Sequence, residues 1–433
     1  MVKVITYGTY DLLHYGHIKL LERAKALGDY LIVGVTADDF DKSRGKINVQ
    51  QSLIERIESV RATGLADEII IEEYEGQKID DIRRYDIDIF TVGSDWKGKF
   101  DYLNEYCKVV YLDRTEGVSS SEIRSEKHQL RLGLVGNIEL INKFYNESSF
   151  VNGINVCAAY SNNINIASTG ITICQNIESL LNLVDAVYIA SEPKLHYEQV
   201  KTCLEHGKHV LCETPTAINQ KEFDEMIMLS KKHNCVIMDS LKTAYSTAYN
   251  RLLVLIKSGI IGDVISVDAT CTSLSNLTND EWDCIQYWGT TALLPVFNIL
   301  GVDYKKKSII SKYVNNKEIF TKIDFIYENA VASIKVGSGV KSEGELIISG
   351  TKGYVYVPAP WWNTEYFEVR FEDQRQNRRY FYQLNGEGIR YELIAFTKMI
   401  ESKKNLSYID EKISRAICLV MEHFYSGIDK VIL

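Results

Sequence analysis

Over the first 113 residues, apolar positions follow two alternating patterns. Short unbroken runs (VKVIT, YLIVGVT, DEIIIE, DIFTVG, VVYL) are separated by stretches in which apolar residues recur every three or four places, as in YGHIKLLERAKALGD and IERIESVRAT. An unbroken run of that length predicts a strand buried on both faces, and three-or-four spacing predicts a helix with one apolar stripe. Their alternation predicts a parallel sheet covered by helices. The polar stretch SEKHQLR interrupts the pattern after Arg124, and it then begins again, with LRLGLVG, INVCAAY, DAVYIAS and HVLCE as strands and ESLLNLV and HYEQVKTCLEHG in helices. β-type runs dominate the remainder (VISVDATC, AVASIKVG, GELIISG, GYVYVP, EYFEVRF), and ISRAICLVMEHFY closes it as a helix. The expected class is α/β, in domains 1–127, 128–250 and 251–433, the last built on an open sheet.

A length of 433 residues agrees with that division, since cores of about 100–200 residues are usual. Hydrophobic content of 45% with 25% charged residues is ordinary for a folded protein. A formal net charge of −9 argues against a broad nucleic-acid footprint, so an anionic ligand has to be held by placed groups. Nine cysteines without a CxxC or a Cys/His metal spacing, behind a start that is not signal-like, read as reduced thiols in a cytoplasmic protein. No apolar run approaches the ~20 residues of a membrane span. Neither nucleic acid nor membrane is expected as a partner, and no direct metal ligands are expected.

The stretch GTYDLLHYGHIKLL carries the first candidate chemistry. Ligands of parallel sheets sit beyond the carboxyl ends of the strands, where this stretch lies. Gly8 permits a tight exit from the strand, Gly16 lets backbone approach a ligand, and a helix beginning near Tyr15 offers amide hydrogens to an anion. His14 and His17 add donors that can stabilise charge growing on a phosphate during displacement. A bare HxGH is equally compatible with two turn histidines. The flanking residues favour the chemical reading.

KVITYGTYDLLHYGHIKLLERAKALGDYLIV, VGSDWKGKFDYL and VVYLDRTEGVSSSEIR together resemble the glycerol-3-phosphate cytidylyltransferases of the HxGH nucleotidyltransferase superfamily, from Val2 to about Arg124. The resemblance implies CMP transfer from CTP, with Mg2+, to a polyol phosphate, giving a CDP-polyol and pyrophosphate, for capsule or cell-wall polymer synthesis. It implies that His14 and His17 contact the CTP phosphates, that Thr9 and Tyr10 lie where the loop approaches the α-phosphate with Gly16 also in the nucleotide site, and that Lys46 clamps the phosphates from a mobile loop. It also implies that Asp95 and Trp96 lie near nucleoside and acceptor, and that Arg114, Thr115 and Ser119 close over base and triphosphate. One departure concerns the acceptor: a basic residue common before the third strand is missing from TGLADEI, and Arg61 is the candidate replacement.

VDAVYIASEPKLHYEQVKTCLEHGKHVLCETPTAI, SGTKGYVYVPAPWW and GEGIRYELIAFTKMI resemble the glucose–fructose oxidoreductase/inositol dehydrogenase family over residues 130 to 433. The expected architecture is thus a Rossmann-like HxGH nucleotidyltransferase domain fused to a Rossmann-type nucleotide domain and an open-sheet α+β domain. The resemblance implies NADPH or NADH as cofactor, but the fingerprint is worn. Only Gly136 of the glycine set is in place, Thr214 follows Glu213 where the family has its catalytic lysine, and Tyr287, Thr291 and Leu294 fall at the family's Asp, His and Asp positions. Two readings stay open. The domain reduces a ketose phosphate to the acceptor, with Gly136, Glu213 and Trp288 in its site and Tyr287, Tyr188 or His196 as proton donor. Alternatively it is a silent scaffold or oligomerisation domain; a homodimer or higher homo-oligomer is expected. A nucleotide-binding regulatory protein is the broader alternative.

Overall fold

The computed structural model describes residues 1–37, 49, 51–74, 76–113, 129–151, 153–161, 171–274, 282–382, 384–403, 405 and 407–433. The chain divides into two compact units, Met1–Gln129 and Leu130–Leu433.

In the first unit, β1 (Lys3–Gly8), β2 (Tyr30–Thr36), β3 (Glu68–Glu72), β4 (Ile89–Gly93) and β5 (Lys108–Leu112) form a parallel sheet in the order β3-β2-β1-β4-β5. Helices α1 (Tyr15–Lys25), α2 (Leu53–Ala62) and α3 (Gln77–Tyr85) belong to the same unit. The strands read as continuous apolar runs because both faces are covered. Val4, Leu31 and Val33 pack with Leu21 and Val60 in one cluster, while Ile5, Ile32 and Phe90 pack with Ile82 and Leu103 in another. Helix α2 starts with a capping box, in which the Ser52 amide donates to Glu55 Oε2 at 2.7 Å and the Glu55 amide to Ser52 Oγ at 3.3 Å.

The second unit opens with a six-stranded parallel sheet: β6 (Leu130–Gly136), β7 (Ile154–Tyr160), β8 (Thr172–Ile173), β9 (Ala186–Ala190), β10 (His209–Glu213) and β11 (Ile237–Ser240), ordered β11-β10-β9-β6-β7-β8. Its helices are α4 (Ile138–Ser148), α5 (Ile177–Leu181), α6 (Pro193–Glu205) and α7 (Gln220–His233), followed by α8 (Lys242–Tyr245) and α9 (Thr247–Lys257). This order reverses direction between β6 and β9, the place where open α/β sheets leave a crevice.

A nine-stranded mixed sheet follows, built from β12 (Val264–Ser273), β13 (Lys306–Val314), β14 (Lys317–Ile326), β15 (Val331–Ser338), β16 (Leu346–Gly350), β17 (Tyr354–Val357), β18 (Tyr366–Arg370), β19 (Arg378–Phe381) and β20 (Lys430–Ile432). Helix α10 (Cys284–Leu300) packs on β12, β14 and β15. The last helices return to the parallel layer: α11 (Ile389–Ser402) packs on α4 and α8, and α12 (Glu411–Tyr425) on α7 and α10. That return is why residues 130–433 form one unit, and the expected division at residue 250 falls inside α9. All nine cysteines are free. Among the described residues no helix is long and apolar enough to cross a membrane, and no group of three or more His, Cys, Asp or Glu side chains is placed to hold a metal ion.

Candidate functional site

Strand β1 leaves the first sheet through Gly8 into a loop in which Tyr10 and Leu12 take left-handed φ values of 53° and 48°. Two features hold that costly backbone. The Tyr10 ring is buried against Gly8, where a Cβ would stand 3.0 Å from it. From outside the loop, Arg56 on α2 donates to the carbonyls of Thr9 (2.7 Å), Thr36 (2.8 Å) and Gln51 (3.2 Å), with its side chain fully buried. Gln51 completes the frame, its amide donating to Asp11 Oδ1 (2.9 Å) and its Oε1 accepting from the Leu12 amide (2.8 Å).

His14 is the N-cap of α1, and its Nδ1 accepts from the Gly16 amide at 3.1 Å. That bond leaves the proton of a neutral His14 on Nε2. The rings of His14 and His17 stack with centroids 3.9 Å apart and planes 25° apart, and His17 meets the Tyr10 ring edge-on at 5.6 Å. Thr9, Tyr10, Gly16, His14 and His17 are thus brought together at the start of one helix.

Trp96 ends a 3-10 turn (Ser94–Trp96) after β4, half-buried against Phe100 (5.8 Å), with Lys99 Nζ 5.1 Å from its ring centre. Asp95 shares the turn, and its side chain lies outside the described residues, as do Lys46, Arg114, Thr115 and Ser119. Arg61 pairs with Glu58 on the exposed face of α2.

Two groups of polar residues went unforeseen. Arg56 is one. The other gathers at the carboxyl ends of β1 to β3: the Tyr7 hydroxyl donates to Asp81 Oδ2 at 2.8 Å, Gln77 Nε2 to the same oxygen at 3.1 Å, and Thr36 Oγ1 to Glu72 Oε2 at 2.8 Å. Lys78 forms an ion pair with Glu72, their side chains 9% and 1% exposed, and its ammonium lies 4.6 Å from the Tyr7 ring centre. Burial first, and then the Asp81 charge, push the Tyr7 phenol well above its usual range, so it stays a donor. A buried ion pair contributes little net stability, because desolvation offsets the attraction.

In the second unit, Gly136 ends β6 at φ 119°, and a Cβ there would stand 2.3 Å from the Ser191 amide. Beside it a cleft of about 240 Å³ is lined by Asn137, Tyr160, Ser161 and Glu192, among others. The amides that a dinucleotide's pyrophosphate needs are already engaged: Asn137 Oδ1 accepts from Glu139 N at 2.9 Å and Leu140 N at 3.3 Å. Glu139 also places an acid in the first turn of α4. Displacing an Asn cap costs about 1 kcal/mol and an exposed acid at a helix start about 0.3–1 kcal/mol against an anion. The sum weakens binding by roughly tenfold to thirtyfold. The residues fit a dinucleotide with that penalty.

Of the candidate proton donors, His196 is corrected outright. It is fully buried, with Nδ1 2.9 Å from the Pro215 carbonyl and Nε2 2.9 Å from the Ser191 carbonyl, so both nitrogens face backbone carbonyls and the N–H of the neutral ring that burial favours donates to one of them. Tyr188 is internal too, stacked on Phe144 (3.7 Å) and donating to Glu213 Oε1 at 2.5 Å. Tyr287 is 43% exposed on α10, edge-on to Trp288 at 4.9 Å. Trp288 packs on Trp362 (4.7 Å), and its Nε1 is buried with no partner. Trp361 belongs to the core, fully buried and donating to the Thr270 carbonyl at 2.9 Å.

Behind this surface lies a carboxyl pair that sequence reading missed. Ser240 Oγ stands 3.2 Å from Glu213 Oε1 and 3.2 Å from Glu392 Oε1, and Glu392 Oε2 is buried without a partner. One hydroxyl hydrogen cannot serve two carboxylates. Burial first, and then the Glu213 charge, raise Glu392 well above the ordinary carboxyl range, so it is the member that holds a proton and donates to Ser240.

Comparison with known proteins divides the chain in the same place. Residues 5–126 match the family described as Cytidylyltransferase-like, and residues 132–240 match the family described as Oxidoreductase family, NAD-binding Rossmann fold. A glycerol-3-phosphate cytidylyltransferase from Bacillus spizizenii is 52% identical over 130 residues, 30% of this chain and 100% of that relative. A scyllo-inositol 2-dehydrogenase (NADP(+)) from Bacillus subtilis is 48% identical over 68 residues, 16% of this chain and 21% of the relative. A 3-ketoreductase from Actinomadura kijaniata, solved with NADP and TDP-benzene, superposes with a TM-score of 0.64 at 14% identity, covering 70% of this chain and 99% of that one. At that identity the superposition shows a shared fold.

Proposed function

Because the chain belongs to the cytidylyltransferase-like family through its first unit and carries an oxidoreductase domain of the glucose–fructose oxidoreductase/inositol dehydrogenase type in its second, we propose that it makes a CDP-polyol from CTP and a polyol phosphate. The observation that carries this reading is the stacked His14–His17 pair at the start of α1, on a loop that Arg56 fixes from beneath.

An acceptor phosphate oxygen attacks the α-phosphorus of CTP, the new P–O bond forms, and the bond to the bridging oxygen breaks with loss of pyrophosphate. Little covalent work falls to the protein, and alignment and charge stabilisation carry most of the rate. His14 offers Nε2–H as its remaining donor once Nδ1 is committed to Gly16, and His17 is held beside it by the ring stack and by Tyr10. Magnesium bound with the triphosphate would supply charge neutralisation. Lys46, Arg114, Thr115 and Ser119 close the remaining sides in this reading.

The second unit is read as a reductase that turns a ketose phosphate into the polyol phosphate used by the first, the product then serving capsule or cell-wall polymer synthesis. Gly136, Asn137 and the surrounding cleft would hold the nicotinamide dinucleotide, which would supply the hydride. A silent scaffold is the second reading, favoured by Thr214 in the lysine position and by the engaged amides of α4.

Purified protein with magnesium, CTP and glycerol, ribitol or hexitol phosphates should release pyrophosphate and form the CDP-polyol. No product under conditions where CTP demonstrably binds would overturn the transferase reading, and would return the chain to the class of nucleotide-binding regulators. Oxidation of NADPH or NADH with ketose phosphates separates reductase from scaffold.

A further inference from the structure

The turn Asn385–Gly388 that leads into α11 sets Gly386, Glu387 and Gly388 at φ 58°, 52° and 94°. Glycine takes such angles without strain, and Glu387 does not. Its carboxylate is nevertheless held there by two cations on different elements. Oε2 accepts from Lys143 on α4 and from Lys242 on α8, the latter at 2.6 Å. The three side chains are 30% to 44% exposed, so each pair returns little stability in water. Strain offsets much of that return, and stability alone gives no reason for an acid between two glycines. The neighbouring charges are already engaged: Glu147 accepts from Arg390 at 2.6 Å, and Glu213 and Glu392 are buried around Ser240.

Two ammonium groups converging on one oxygen present what a phosphate dianion takes from lysines. Charge and contacts tie the place to Glu213 and to the Trp288–Trp362 pair of the second unit. Lys242 exerts its charge on Glu213, next to Thr214, and the adjacent Thr243 Oγ1 donates to the Trp362 carbonyl at 2.8 Å. The Trp362 ring packs on Trp288, whose buried Nε1 lacks a partner. We propose that Lys143 and Lys242 form the phosphate subsite of the second unit, for a phosphorylated sugar or polyol, and that Glu387 occupies it as an internal anion until that ligand displaces it. Gly386 and Gly388 give the turn its two hinges. The proposal rests on the reading that the second unit takes a phosphorylated ligand, whether it reduces that ligand or only binds it.

Isothermal titration of the full chain with ribulose 5-phosphate, inorganic phosphate and unphosphorylated ribulose tests it. The sugar phosphate should bind at least tenfold more tightly to Glu387→Gln than to wild type, because the competing charge is gone. Lys143→Ala and Lys242→Ala should each weaken it tenfold or more, with thermal unfolding confirming that the variants are folded. Ribulose without phosphate should show no dependence on residue 387. A folded Glu387→Gln with unchanged affinity overturns the proposal, as do lysine variants that bind like wild type. Equal affinity for inorganic phosphate and the sugar phosphate overturns the assignment to a phosphorylated sugar. Pyrophosphate release from CTP, measured in parallel, is independent of these three residues, so failure of the transferase reading and failure of this one are distinguishable.

Discussion

Replacing Arg56 by methionine tests whether the loop that carries the histidine pair is held from beneath. Methionine keeps much of the volume and removes every donor. The carbonyls of Thr9, Thr36 and Gln51 then lose charged partners now at 2.7, 2.8 and 3.2 Å. An unsatisfied buried acceptor costs about 1–3 kcal/mol, and the relief of no longer burying a guanidinium offsets part of the sum. A net loss of about 2–4 kcal/mol is expected, which for a unit of this size corresponds to roughly 8–15 °C in unfolding midpoint. Tyr10 and Leu12 would relax from their strained geometry, and displacement of catalytic groups by about 1 Å costs on the order of 10²-fold in turnover. Arg56→Lys keeps the charge but reaches fewer carbonyls and should fall between. Calorimetry of the first transition and steady-state pyrophosphate release read the two effects. A methionine variant with midpoint and turnover both within error of wild type refutes the strut, and with it the account of why Tyr10 and Leu12 tolerate positive φ.

His17→Ala should lower turnover by about 10²-fold with little change in unfolding, as loss of one donor to a developing oxyanion does; near-normal turnover would make His17 an ordinary turn residue. Residues 1–129 alone should retain transfer activity, since they span the full length of a 52% identical relative; an inactive but folded fragment would mean that the second unit completes the site. Asn137→Gly with Glu139→Gln should tighten NADPH binding by roughly tenfold, read by fluorescence titration, and an unchanged affinity would show that the α4 amides do not meet the cofactor. Glu392→Gln should flatten the fall of stability with pH. The folded protein holds the Glu392 proton above the ordinary value of 4.5, so that stability is full below 4.5 and is lost as pH rises toward the raised value. Among the groups facing it are Glu213, Lys242, Tyr188 and Tyr245, and a variant whose pH profile matches wild type would mean that Glu392 is ionised in place.

The sheets were legible because both of their faces are covered. VKVIT became Lys3–Gly8, DEIIIE became Glu68–Glu72, and HVLCE became His209–Glu213 within one long stretch of chain each. The histidine pair was legible because helix start and motif are local. Arg56 was not, since a charged residue in IERIESVRAT reads as solvated, and its burial is set by carbonyls 5, 20 and 47 residues away. Lys78 and Glu72 hide for the same reason. His196 misled in the opposite sense: its position in the family-like run EPKLHYEQ is right for a helix start, but whether an imidazole there faces a cleft or two carbonyls is decided by the packing of the Pro215 turn. Glu387 is readable only from φ.

The two units use one device, a helix that begins where a parallel strand ends, and they differ within its first turn. In α1 the cap is His14, whose Nδ1 is committed to the Gly16 amide while Nε2–H is left to donate, and the first turn holds no acid. An anion arriving there meets the remaining amides and gains from the helix dipole. In α4 the cap is Asn137, which satisfies two amides by itself, and Glu139 stands in the turn. The same geometry therefore favours an anion at the first turn in one unit and weakens its hold there in the other. Gly136 cannot by itself restore the second site, because its absent Cβ makes room against Ser191 and supplies no donor. If the second unit does bind a dinucleotide, affinity must come from outside that first turn, along the cleft walls at Tyr160, Ser161 and Glu192.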